Sequence, residues 1–214
     1  RVIGRGRLGS ALAARLANGG VVLSDEDVDL VLLCVPDRHI AEVAASVAPG
    51  PWVAHVSGAA PLASLAPHAR RFSLHPLQTF DRSGRAEQFD GTWAAVTAES
   101  EAADAAGVSL AQLLGVRPFR LNDDARIRYH AGAAIASNYL VTLFDSASAL
   151  LRSAGAPPEA LIPLMQRTIE NGFQRTGPIA RGDWATVDAH RHALRTHAPE
   201  FLAMYDVLAE VTAR

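Results

Sequence analysis

Val2-Ile3-Gly4-Arg5-Gly6-Arg7-Leu8-Gly9 is the stretch on which the reading of this chain turns. Two apolar residues run into glycines spaced as GxGxxG, and an amphipathic pattern, Leu8–Ala17, follows at once. A strand, a glycine turn and a helix in that order give the spacing its meaning. Gly4 would allow the tight turn, Gly6 a close approach of the main chain to a diphosphate, and Gly9 close packing of helix on strand. The free N–H groups of the first helical turn would hold the anion. The alternative is a glycine-rich turn with no ligand. Arg5 and Arg7 could reach phosphate oxygens, a 2′-phosphate included, or be ordinary surface cations. Gly4, Arg5, Gly6, Arg7, Leu8 and Gly9 together form the candidate cofactor turn.

Outward from the turn, short apolar runs alternate with helical patterns, which predicts βαβ units. Strands are expected at 2–3, 21–23, 30–35, 52–56, 71–74, 92–97 and 116–121, with helices at 8–17, 40–47 and 102–114. The strands are apolar on both faces, as in a parallel sheet covered on both sides. The character changes near Asn122. Residues 124–153 contain no Pro and one Gly, predicting a helix of ~30 residues, about 45 Å long. Helices near 159–174, 183–196 and 198–213 follow. The predicted division is 1–122, an α/β domain with a doubly wound, mainly parallel sheet, and 123–214, an all-helical domain. One stretch fits poorly. A parallel crossover needs at least ~10–12 residues, and little chain remains between 23 and 30. Either the unit is severely shortened or a mobile loop is absent, and the absent loop is preferred. Asp25 lies 21 residues after Gly4, near the spacing of an acidic ribose ligand, but the suspected gap makes that spacing unreliable. Position 1 is Arg with the turn following at once, so residues are expected to precede it.

Composition narrows the function. The chain has 214 residues, 49% hydrophobic and 20% charged, with a formal charge of −2. These values exclude disordered and fibrous classes and give no electrostatic case for nucleic acid. All 20 basic residues are Arg; a chain without Lys cannot do Schiff-base or P-loop chemistry. A single cysteine, Cys34, sits in an apolar run and reads as an inert core thiol in a reducing, cytoplasmic setting. No apolar run of membrane-spanning length and no secretory leader is read, so no membrane partner is expected.

In open α/β sheets ligands sit beyond the carboxyl ends of the strands. Val35-Pro36-Asp37, Ser57-Gly58 and His75-Pro76 should all face the crevice of the glycine turn. Pro36 and Ser57-Gly58 would line the nicotinamide ribose, and Val35 and Asp37 beside them are further cofactor-binding candidates. His75 either donates a proton or polarises a carbonyl, or is a structural histidine bonded to a loop. His55 falls inside a strand and reads as core. In the helical half, Tyr129, His130, Ser137 and Asn138 interrupt an apolar pattern. His130 and Asn138 lie near one face and either satisfy a buried network or face a cleft. Thr176–Asp183 is dense in turn residues; Arg181 could fork a carboxylate or pair with Asp183. His190, His192 and His197 match no standard metal spacing, so no metal is expected.

Gly4–Gly9, Leu33–Asp37, His55–Gly58, Ser73–Phe80 and Thr176–Asp183 together resemble bacterial Rossmann-like proteins with a C-terminal helical domain of unknown function. That group is similar to pyrroline-5-carboxylate reductases, deazaflavin-dependent NADP reductases and ketopantoate reductases. The resemblance implies a Rossmann NAD(P)-binding domain and a helical domain like the C-terminal part of 6-phosphogluconate dehydrogenase, with a homodimer built through it. The ketopantoate reductase pattern carries a Lys four residues before an Asn; Asn138 matches the Asn, but position 134 is Ala. The expectation is an oxidoreductase moving a hydride between NADP, or NAD, and a small carbonyl or imine, a ketoacid such as ketopantoate among them. His75 would donate the proton, with His130 as substitute, Asn138 would orient the substrate and Arg181 clamp a carboxylate. The alternative is a non-catalytic dinucleotide-binding sensor or scaffold.

Overall fold

A computed structural model describes residues 1–214, which form two compact units, Arg1–Ser137 and Asn138–Arg214. The first is built on six strands, β1 (Val2–Ile3), β2 (Leu30–Leu33), β3 (Trp52–His55), β4 (Arg71–Pro76), β5 (Trp93–Ala98) and β6 (Arg117–Arg120), which lie side by side in chain order. All neighbours are parallel except β4 and β5. Alternate residues of each strand enter different cores. Leu32, Ala54 and Phe72 pack with Leu12 and Leu16 of α1 (Arg7–Asn18) and Leu110 of α3 (Glu101–Leu114). Val31, Leu33 and Val53 pack on the other side with Ile40 and Ala44 of α2 (Ile40–Ala45). This two-sided burial is why the strands show no polar alternation.

Residues 20–29 hold no second strand–helix unit. No strand forms at 21–23, and Val22 is 86% exposed. Helix α1 is itself the crossover from β1 to β2, and 20–29 only return the chain to the sheet. Val21 and Leu23 border a groove of about 310 Å³ along the free edge of β1, and Asp25 pairs with Arg1 at 3.1 Å.

The long helix expected over 124–153 is interrupted. Helix α4 (Arg126–Ala136) ends at Ser137 (φ −114°, ψ −71°), and α5 (Asn138–Ser153) begins beyond it. Serine is a recognised site of helix kinking. The run Asp123–Ser153 is long and apolar enough, by length and composition alone, to cross a membrane, where the sequence reading found no such run. The units divide at this break, so residues 123–137, assigned above to the helical domain, belong with the sheet. The second unit holds α5, α6 (Leu161–Glu170), α7 (Trp184–His197) and α8 (Leu202–Ala213). Asp183 caps α7, accepting from the Thr186 N–H at 3.1 Å.

Candidate functional site

Each glycine of the turn has a distinct geometric reason. Gly4 sits at φ +102°, and a Cβ there would stand 2.3 Å from the Cys34 carbonyl oxygen at the end of β2. A Cβ on Gly9 would stand 2.1 Å from the Gly4 carbonyl oxygen. These two make the turn and let α1 pack against it. Gly6 differs: a Cβ there would meet nothing within 4 Å. It is the N-cap of α1, without a side-chain cap and without an acidic residue in the first turn. Main chain open to solvent at an uncapped, positively polarised helix end fits a diphosphate. Arg5 and Arg7 are exposed there, and neither forms an ion pair. Cys34 lies behind the turn, half-buried, where burial pushes its thiol up to about 12.

At the ends of the next strands the chain builds a tight polar knot. The Ser57 hydroxyl donates to Asp37 Oδ2 at 2.8 Å and accepts from the N–H groups of Ala59 and Ala60 at 3.1 and 2.9 Å. That hydroxyl is therefore committed to shaping the 57–60 turn. His55 is fully buried; its Nδ1 accepts from the Ser57 N–H at 3.3 Å, and its Nε2 has no partner. Burial and then the Arg126 charge hold its imidazole down to about 3.

His75, near the end of β4, meets helix α4. Its Nδ1 lies 2.7 Å from the Tyr129 hydroxyl, and its ring stands edge-on to Tyr129 and to His130, at centroid distances of 5.5 and 6.0 Å. Gly58 makes room for both imidazoles: a Cβ there would be 2.6 Å from His130 Nδ1 and 2.9 Å from His75 Nε2. Burial, then the neighbouring His130 and Arg126, lowers His75 to about 4. Burial raises Tyr129 to about 12. Both groups are neutral at physiological pH.

His75 and His130 thus meet, together with Ser57, Gly58 and Asp37, in the sheet unit. Asn138 and Arg181 belong to the other unit. Asn138 opens α5, its carbonyl accepting from the Thr142 hydroxyl at 3.4 Å. Arg181 donates to the Thr176 carbonyl within its own turn, rather than to Asp183, which caps α7. Two residues of the knot were not singled out as site residues from the sequence. Tyr129 was noted only as a break in an apolar pattern. Arg126 was missed entirely, although it lies four residues before His130 and three before Tyr129, on the helical face they share; that spacing was the usable signal. The helical unit has a separate pocket of about 490 Å³, bordered by Leu150, Leu194, His190 and Tyr205.

The model of a family described as a domain of unknown function, DUF2520, matches residues 92–212. No curated protein matches the chain. Among solved structures, a candidate NADP oxidoreductase from Bacteroides fragilis is similar at 20% identity and a TM-score of 0.81, over 99% of this chain and 96% of that one. A reductive aminase from Aspergillus terreus, solved with NADPH and ethyl levulinate, is similar at 18% identity and a TM-score of 0.67, over 100% and 92%. A 1-pyrroline-5-carboxylate reductase from Streptococcus pyogenes is similar at 14% identity and a TM-score of 0.63, over 99% and 95%. These likenesses show the fold, a Rossmann-type, mainly parallel sheet followed by a helical part.

Proposed function

Because the chain belongs to the DUF2520 family, whose function is unknown, we propose its function from the site: it is an NADP-dependent oxidoreductase acting on a small carbonyl or imine, with NAD as the alternative cofactor. The observation that carries this is topological. The open glycine turn follows β1, the Ser57–Gly58 turn follows β3, and His75 is next to last in β4, so all three features lie at the carboxyl ends of parallel strands in one sheet. That edge is where ligands of open α/β sheets bind.

The Gly6 main chain and the first amides of α1 hold the diphosphate, and Arg5 and Arg7 reach its oxygens or a 2′-phosphate, which favours NADP. Val35, Pro36, Asp37, Ser57 and Gly58 frame the nicotinamide ribose. When bound, the reduced nicotinamide supplies hydride. His75 holds a proton position at Nε2, because its Nδ1 is engaged by Tyr129. The proteins of like fold that are named as a pyrroline carboxylate reductase and a reductive aminase support an imine as substrate, and an imine already protonated asks least of a neutral imidazole. Tyr139, Val141, Ile162 and Leu164 of the helical unit are exposed, which supports a homodimer formed through that unit; static light scattering showing a monomer would sink this part.

The test is a tryptophan-quenching titration with NADPH and NADH, followed by a screen of cyclic imines and 2-oxoacids at the NADPH absorbance. Micromolar saturation and turnover are expected, and on a 2-oxoacid His75→Asn should lower turnover far more than affinity. Binding without turnover would replace the enzyme by a sensor; absence of binding overturns the whole reading.

A further inference from the structure

Arg126 is 1% exposed and heads the fully buried side chains of the protein in size. A guanidinium does not shed its proton in a protein, so its burial is the burial of a charge, ordinarily matched by a bonded carboxylate. Arg126 has none. Asp123 Oδ1 stands 3.8 Å from Nε, and Nε has no hydrogen-bond partner. The remaining nitrogens donate to neutral oxygens: Nη1 to Ser73 Oγ at 2.6 Å and Thr97 Oγ1 at 2.9 Å, and Nη2 to the Ser57 carbonyl. One fork, on the first residue of α4, therefore ties together β4, β5 and the turn after β3. Three and four residues further along the same helical face come Tyr129 and His130.

We propose that Arg126 is a positioning residue of the reaction end: its fork sets where α4 holds Tyr129 and His130 over the Ser57–Gly58 turn, and its buried charge, faced only by the long 3.8 Å ion pair to Asp123, acts on the imidazoles as a fixed positive neighbour. Arg126 does not touch substrate. The proposal rests on the reading above that His75 and His130 form the reaction end. The groups facing His75 are Tyr129, His130 and Arg126 from α4, Asp37 from the turn after β2, and His55 from β3. Asp37 alone among them carries a negative charge, and its carboxylate is already bonded by Ser57.

The test needs neither cofactor nor substrate, so its failure is distinct from failure of the dinucleotide reading. Histidine ring signals of the free protein are followed by NMR against pH, with His75 assigned through His75→Asn. In Arg126→Met the His75 midpoint should rise by at least one pH unit, a tenfold gain in proton affinity. A folded Arg126→Met with an unmoved midpoint overturns the electrostatic half. Arg126→Lys keeps the charge but loses the fork: its His75 midpoint should stay within half a unit while the ring-to-ring Overhauser effect between His75 and Tyr129 falls by half or more. An undiminished effect overturns the positioning half, and this variant carries the test if Arg126→Met does not fold.

Discussion

Gly6→Ala separates stability from binding more cleanly than any other substitution in the glycine turn. Gly6 has φ −69° and ψ −173°, ordinary for any residue, and a Cβ there has no neighbour within 4 Å. Alanine in place of glycine at an N-cap costs a few tenths of a kcal/mol up to about 1, and the stiffer unfolded chain offsets about 0.4–1 kcal/mol of that. The net change is near zero, and the melting temperature should move by no more than about 2 °C. If the main chain at Gly6 approaches a diphosphate, however, the new methyl group occupies that approach, and NADPH affinity should fall at least tenfold, about 1.4 kcal/mol. Gly9→Ala is the contrasting control. Its Cβ would fall 2.1 Å from the Gly4 carbonyl oxygen, a backbone atom that cannot swing away. Overpacking of that kind costs about 1–3 kcal/mol, or roughly 2–12 °C for a chain of this size. The assays are differential scanning fluorimetry and quenching of Trp52, Trp93 and Trp184. A folded Gly6→Ala that binds NADPH within twofold of the parent would refute the reasoning.

Cys34, raised to about 12 by burial, should ignore thiol reagents at pH 8 in the native protein and react only on unfolding; rapid native labelling would show that β2 opens. His55 and His75 sit at about 3 and about 4 when folded, below the unfolded value near 6.5. Stability is therefore fully present above pH 6.5 and lost as pH falls toward 4, by up to about 1.4 kcal/mol per pH unit for each histidine. Urea midpoints from pH 7 to 4.5 should show it, and His55→Gln should halve the slope; an unchanged slope clears His55 of any part. Gly58→Ala would bring a methyl group within 2.6 Å of His130 Nδ1 and 2.9 Å of His75 Nε2. Side chains can yield there, so the fold should survive with little loss while turnover of a 2-oxoacid falls tenfold or more. Unaltered turnover would remove the histidine pair from the chemistry.

What the sequence showed of this molecule follows from which groups carry a local signature. Gly4 and Gly9 are legible because only glycine tolerates a positive φ or a carbonyl at 2 Å distance, and their spacing records both demands. His75 is legible because a strand end in an α/β sheet is a predictable address. Residues 21–23 misled because a β-branched pair favours a strand only where its side chains also pack, and Val22 is 86% exposed, so the segment passes the free edge of β1 without pairing to it. Ser137 was noted only as polar in an apolar pattern, and the break there was missed because a helix can bend without Gly or Pro. Arg126 was obscured by its surroundings: beside Asp123 and Asp124 at a helix start it resembles an ordinary surface cation. Its burial depends on Ser73 and Thr97, which are distant in sequence and contributed by β4 and β5.

The neutrality of His75 also divides the two substrate classes left open. At about 4, only about one molecule in a thousand carries the imidazolium at pH 7, since each pH unit above the midpoint is a tenfold loss. A carbonyl gains a proton on oxygen as it gains hydride on carbon, and with no Lys in the chain the function proposed above assigns that proton to the imidazolium of His75. Turnover of a 2-oxoacid should therefore fall tenfold per pH unit between pH 5 and 8. A cyclic imine arrives already protonated, so its turnover should follow its own proton equilibrium and be indifferent to His75. The profiles are measured side by side, with His75→Asn as the third arm. If the oxoacid profile is flat and His75→Asn is inactive on it, the imidazole is not held neutral and the preference for an imine has lost its physical basis.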